Sequence, residues 1–186
     1  MRFRSVAVTA GSGSGQEKAL ALFRSALVAR GIPPDGEECL PVTFEADASL
    51  EKEEFAAAQG GHGEIVLSAS SLRGFVYAFS RFLRKIERRG DAWTVCGELF
   101  GRFAPRMRIR GHQLGYRPKN NTYDAWDVPE FAAYYLDMMA FGSNTVELMP
   151  GGTDDGERNE IMKRDENEML FLCAEAADEV DLDVSV

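Results

Sequence analysis

The chain has 186 residues, 45% of them apolar and 27% charged, ordinary proportions for a soluble globular protein of one or two domains. No apolar run approaches the roughly 20 residues of a membrane helix. Three widely spaced cysteines (Cys39, Cys96 and Cys173) and two histidines offer the spacing of neither a disulfide framework nor a zinc site. The net charge of −9 lies entirely in one half: residues 1–103 carry 13 Lys+Arg against 13 Asp+Glu, and residues 104–186 carry 8 against 17. That balance excludes nucleic acid as a partner, which would need a broad positive face. Neither a metal nor another cofactor is expected.

In chain order, "FRSVAVTA" alternates like a strand and runs into "GSGSG". "QEKALALFRSALVARG" follows as a helix, with Leu20, Phe23, Leu27 and Val28 at helical spacing and Gly31 closing it. The Gly-Ser turn invites a phosphate reading, because backbone N–H groups at a helix start bind anions. It matches neither G-x-G-x-x-G nor G-x-x-x-x-G-K-[ST], so a flexible turn is the simpler account. "CLPVTFEAD" reads as a second strand, "SLEKEEFAAAQGGHG" as a short polar helix or extended loop, and "EIVLSASS" as a third strand. Ser70 and Ser71 stand ahead of a helix spanning "LRGFVYAFSRFLRKIERRG". A nucleophilic role for either serine lacks the G-x-S-x-G elbow and an acid-base partner. An N-cap, with Gly74 permitting close helix–sheet packing, accounts for them. Residues 1–103 are thus expected to form a small α/β sandwich with helices on one face of a sheet.

From residue 104 the grammar changes. "RMRIRGHQLGY" is a strand, and Asp127-Val128-Pro129-Glu130 is a capping box opening the helix "VPEFAAYYLDMMAF", with Trp126 and Phe131 at the staple positions. Gly142 ends that helix. "NTVELMP" is a buried-type strand, then come a polar loop, the helix "ENEMLFLCAEAADEV" and the strand "LDVSV". Strands alternating with helices, and carrying elaborate loops, are how a (β/α)8 (TIM) barrel begins. A full barrel needs about 250 residues. The expectation for 104–186 is therefore about three strands of an incomplete, truncated barrel.

The passage "RIRGHQLGYRPKNNTYDAW", Arg108 to Trp126, holds more hydrogen-bonding side chains than a connection needs. In barrels the C-terminal ends of strands line the site. Arg110, His112, Gln113, Tyr116 and Arg117 are accordingly candidate substrate-binding residues, and Glu147 on the next strand is another. Directional donors and acceptors beside aromatic surface suit a multiply hydroxylated ligand such as a carbohydrate. The bland alternatives are a loop turned by Asn120 and Asn121, and a salt bridge for Glu147. Asp154 and Asp155 form the only paired carboxylates near that rim, and read first as solvated turn formers.

"EIVLSASSLRGFVYAFSRFLRKI", "PRMRIRGHQLGYR" and "MMAFGSNTVELMP" together resemble the join between the two domains of β-N-acetylhexosaminidase-like and α-glucuronidase-like glycoside hydrolases. In that family a small α/β domain precedes a (β/α)8 barrel. The barrel opens with Pro-Arg-x-x-x-Arg-Gly-x-x-Leu, which Pro105, Arg106, Arg110, Gly111 and Leu114 reproduce. Gly115 stands where hexosaminidases usually have Asp, Arg117 falls one position before their sugar-binding Arg, and Glu147 stands on a strand that carries histidines in them. The resemblance implies the N-terminal portion of an enzyme acting on O-glycosidic bonds. This chain would supply substrate-positioning residues, with the catalytic Asp-Glu pair on a later strand, beyond Val186, so that no catalytic residue is expected within it. A non-catalytic carbohydrate-binding or interaction module is the alternative, and a nucleotide-binding domain a third. Without a signal peptide or membrane span the cytoplasm is the default compartment, although members of the family are often exported.

Overall fold

The computed structural model describes residues 1–113, 125–148 and 161–185. It divides into two compact units, Met1–Arg106 and Met107–Val186.

In the first unit a five-stranded sheet runs in the order β2-β3-β5-β4-β8. Its strands are β2 (Ser5–Ala10), β3 (Cys39–Ala46), β4 (Phe55–Gln59), β5 (Ile65–Ala69) and β8 (Gly101–Phe103). β2, β3 and β5 are parallel, whereas β4 runs antiparallel to both β5 and β8. A second sheet, wholly antiparallel, joins β1 (Arg2–Phe3), β7 (Ala92–Val95) and β6 (Ile86–Arg89). Helices α1 (Ser14–Ala29) and α2 (Leu72–Arg84) pack together on the larger sheet. Phe23 of α1 is the centre of that packing, with its ring 5.7 Å from Phe44 of β3 and 5.2 Å and 5.6 Å from Phe79 and Phe82 of α2.

Two readings of this half need correction. The stretch containing Ala56-Ala57-Ala58 is the strand β4, in a hairpin with β5, because Phe55 and Ala57 are buried and the chain turns back through Gly60–Gly63. Alanine's helix preference is weak beside a paired, half-buried strand. The second helix also ends earlier than its pattern suggested. Lys85 caps it, and Ile86–Arg89 turns through Gly90 (φ +67°) into a hairpin with β7. The start of α2 is as expected: Ser71 accepts from the Gly74 N–H at 3.0 Å. A Cβ on Gly74 would lie 2.9 Å from both the Ala69 Cβ and the Glu54 carbonyl. One residue before Gly74, Arg73 is 2% exposed and donates to Glu53 at 2.8 Å.

The second unit is a three-stranded parallel sheet in the order β11-β10-β9, formed by β9 (Gly111–Gln113), β10 (Thr145–Glu147) and β11 (Asp183–Ser185). Helices α3 (Val128–Ala140) and α4 (Glu166–Asp178) connect these strands and pack on each other. The capping box is present, with Asp127 accepting from α3 and Glu130 accepting from the Asp127 N–H at 3.1 Å. Trp126 meets Phe131 edge-on at 5.6 Å, which is the staple. Arg164 joins Asp127 at 2.9 Å and so ties the start of α4 to the start of α3. Met169, Cys173 and Ala177, one turn apart, form the buried face of α4. Burial pushes the Cys173 thiol up to about 11. Among the described residues no helix is long and apolar enough to cross a membrane.

Candidate functional site

The parallel sheet has two unlike faces, fixed by the alternation of strand side chains. Val146 is fully buried on the helix side, level with His112 and Val184. The opposite face carries two polar rows: Gly111, Thr145 and Asp183 at the strand starts, then Gln113, Glu147 and Ser185 at the strand ends. These residues line an open hollow of about 670 Å³, which Arg108, Ile109, His112 and Asn144 also border. Gly111 is required by the close approach of β10, since a Cβ there would collide with Thr145.

The sequence candidates separate in this frame. Gln113 and Glu147 stand side by side in the outer row. His112 is level with Val146, and its Nδ1 lies 2.7 Å from the hydroxyl of Tyr134 on α3. Burial pushes the Tyr134 hydroxyl upward. Arg110 directs its guanidinium to the Gly142 carbonyl at 2.7 Å and to the Met107 carbonyl, at the strand starts. It braces the start of the sheet there. Tyr116 and Arg117, and likewise Asp154 and Asp155, lie outside the described residues.

Asn144, 5% exposed, organises those strand starts. Its side chain accepts from the Arg110 N–H at 2.8 Å and donates to the Arg108 carbonyl at 2.7 Å. Its own carbonyl accepts from the Asp183 N–H at 2.9 Å, so one residue sets the register of all three strands. Sequence reasoning did not single out Asn144, Thr145, Asp183 or Ser185. The alternation in "LDVSV" was the available signal for the last two: whichever face Val184 takes, Asp183 and Ser185 take the other.

The Gly-Ser turn has a structural explanation. Gln16, 8% exposed, donates to the Phe44 carbonyl at 3.1 Å, and its carboxamide lies against the turn. A Cβ on Gly13 would be 2.8 Å from the Gln16 side-chain oxygen. The glycine leaves room for this carboxamide, and no phosphate is needed to account for it. Among the described residues no cluster of His, Cys, Asp and Glu could hold a metal.

The fold of the chain is shared with solved glycoside hydrolases. No protein-family model matches the chain, and no curated protein matches it. Solved structures do. A GH20 exo-β-N-acetylglucosaminidase from Vibrio harveyi matches 99% of this chain and 33% of its own, at 14% identity and a TM-score of 0.64. A β-N-acetylhexosaminidase from Bacteroides fragilis matches 99% of this chain and 41% of its own, at 14% identity and a TM-score of 0.65. For Streptomyces plicatus β-hexosaminidase in complex with its product GlcNAc the values are 97%, 41%, 12% and 0.67. The likeness is one of fold. Over almost its whole length the chain has the fold of hexosaminidase-like glycoside hydrolases, as the resemblance implied, and it spans about a third to two-fifths of the structures it matches.

Proposed function

We infer that this chain is the small α/β domain and the opening strands of the (β/α)8 barrel of a glycoside hydrolase acting on O-glycosidic bonds. The observation that carries this reading is the polar row Gln113–Glu147–Ser185 at the C-terminal ends of three parallel strands, in a chain whose neighbours in fold include an enzyme complexed with GlcNAc. In barrels that rim is where substrate sits. The Gln113 carboxamide and the Glu147 carboxylate would hydrogen-bond sugar hydroxyls. Tyr116 and Arg117 are further candidates for binding the sugar, and His112, held by Tyr134, would fix its strand. Holding the sugar matters because a misplacement of about 1 Å can cost on the order of a hundredfold in rate. The acid and its partner carboxylate, which cleave the bond through an oxocarbenium-like transition state, would come from strands other than these three.

The test is a pair of measurements on the 186-residue chain. A chromogenic N-acetylglucosaminide should show no turnover, and activity would overturn the division of roles. Titration with N-acetylglucosamine oligosaccharides, followed by NMR, should perturb Gln113 and Glu147 and weaken about tenfold in Glu147→Gln, the scale of one hydrogen bond to a charged group. Binding that ignored Glu147 would remove the hollow from the reading.

A further inference from the structure

The first unit carries a cluster of arginines that the sugar subsite does not use. Helices α1 and α2 end side by side, because Arg30, the cap of α1, donates to the Leu83 carbonyl of α2 at 2.7 Å. That bond sets the Arg30 guanidinium beside residue 84. Arg81 and Arg84 are one turn apart on α2 and therefore share a face. Arg81 is anchored from beneath: it donates to the Glu98 and Leu99 carbonyls at 2.7 Å and 3.3 Å and lies 3.6 Å over the Phe103 ring. The three arginines thus stand together at the paired helix ends, with Arg30 and Arg84 exposed residues.

The cluster is held together against its own repulsion. Burial lowers the Arg84 pKa, and the charges of Arg81 and Arg30 lower it further. Glu98 is the carboxylate that favours the charged form of Arg81. Two helix C-termini offset part of the excess, since each presents a partial negative charge. That offset acts on the side of the helix carbonyls. Arg30 and Arg84 still present charge to solvent, and guanidinium N–H groups match carboxylate and sulfate oxygens in pairs.

We propose that the Arg30–Arg81–Arg84 cluster at the paired ends of α1 and α2 is a docking surface for an anionic polysaccharide, one that carries carboxylate or sulfate groups. The choice of a polysaccharide rests on the glycosidase reading. The choice of an anion rests on the cluster alone. A duplex nucleic acid fits less well, because the cluster is compact and the chain's net charge is −9.

The test measures binding of the 186-residue chain to polygalacturonate, to neutral dextran and to duplex DNA, with inorganic phosphate as competitor. Polygalacturonate should bind, dextran should not, and binding should weaken with added salt. Arg84→Gln should weaken it about tenfold, and Arg84→Lys should restore part of the loss, since Lys keeps the charge without the fork. Both substitutions are at an exposed position, and thermal melts would verify the fold. Arg84→Gln should leave the N-acetylglucosamine titration of the hollow unchanged, which separates the failure of this proposal from that of the sugar subsite. No binding of polygalacturonate, or equal binding by Arg84→Gln, would overturn the proposal. Preferential binding of DNA, or displacement by phosphate at equal charge concentration, would overturn the assignment to a polysaccharide.

Discussion

At the scale of single residues, the buried polar groups carry most of the specification. Arg73 is nearly inaccessible and faces Glu53 at 2.8 Å, so removing the carboxylate leaves a cation in low dielectric with fewer partners. Breaking such a pair costs about 3 kcal/mol or more, and Glu53→Ala should lower stability in urea by about that amount. Asn144 is the comparable residue in the second unit. Asn144→Ala leaves the Arg110 N–H and the Arg108 carbonyl without this partner, at about 1–3 kcal/mol. The loss should appear as lower protection from hydrogen exchange in all three strands. Hydrogen-bonded carboxylates set the acid limb. Asp127, hydrogen-bonded by Arg164, Glu54, hydrogen-bonded by Arg102, and Asp47, hydrogen-bonded by Ser49, all have their pKa values lowered. A carboxyl whose pKa is lower folded than unfolded stabilises the fold above its unfolded value and stops doing so as pH falls through its folded value. Melting temperature should therefore decline below about pH 4, and Asp127→Asn should flatten that decline. An unchanged acid limb in the variant would remove Asp127 from the account.

At the scale of elements, the three rings around Phe23 and the cap at Ser71 explain why α1 and α2 take their positions. Phe23→Ala removes a side chain that touches three other rings and should cost about 3–5 kcal/mol. Ser71→Ala should cost about 1 kcal/mol, and two-state urea melts would resolve the difference. Local chemistry of this kind was readable beforehand. The capping box at Asp127, the staple of Trp126 on Phe131 and the Ser71–Gly74 turn each declare themselves within a few residues, because the interacting partners are neighbours in sequence. β4 did not declare itself. Ala56 and Ala58 carry little preference of their own, and what makes them a strand is pairing with Val66 and Ser68 across a hairpin. The end of α2 at Lys85 was hidden for a similar reason. Its apolar spacing continues through Ile86, which is buried at the start of a strand paired with Val95.

At the scale of the whole molecule, the change of grammar near residue 104 was legible because it is a change of period and of charge. The unlike faces of the parallel sheet were less so. Arg110, His112 and Gln113 lie close in sequence and were read as one group, yet Arg110 reaches the Gly142 carbonyl, His112 meets Tyr134 and Gln113 stands beside Glu147. Register across strands, which sequence alone does not supply, places Asp183 and Ser185 beside them. Phe23→Ala should lower the stability of the first unit, whose core that ring centres.

The buried thiol of α4 makes opening of the second unit measurable. Only thiolates attack disulfide reagents, and a Cys173 pushed up to about 11 and held 1% exposed is silent in the folded state. Cys39 is exposed at the start of β3 and is open to reagent in the folded chain. The protein thus contains its own stopwatch: under a brief pulse of reagent, modification at Cys173 counts each opening of the second unit.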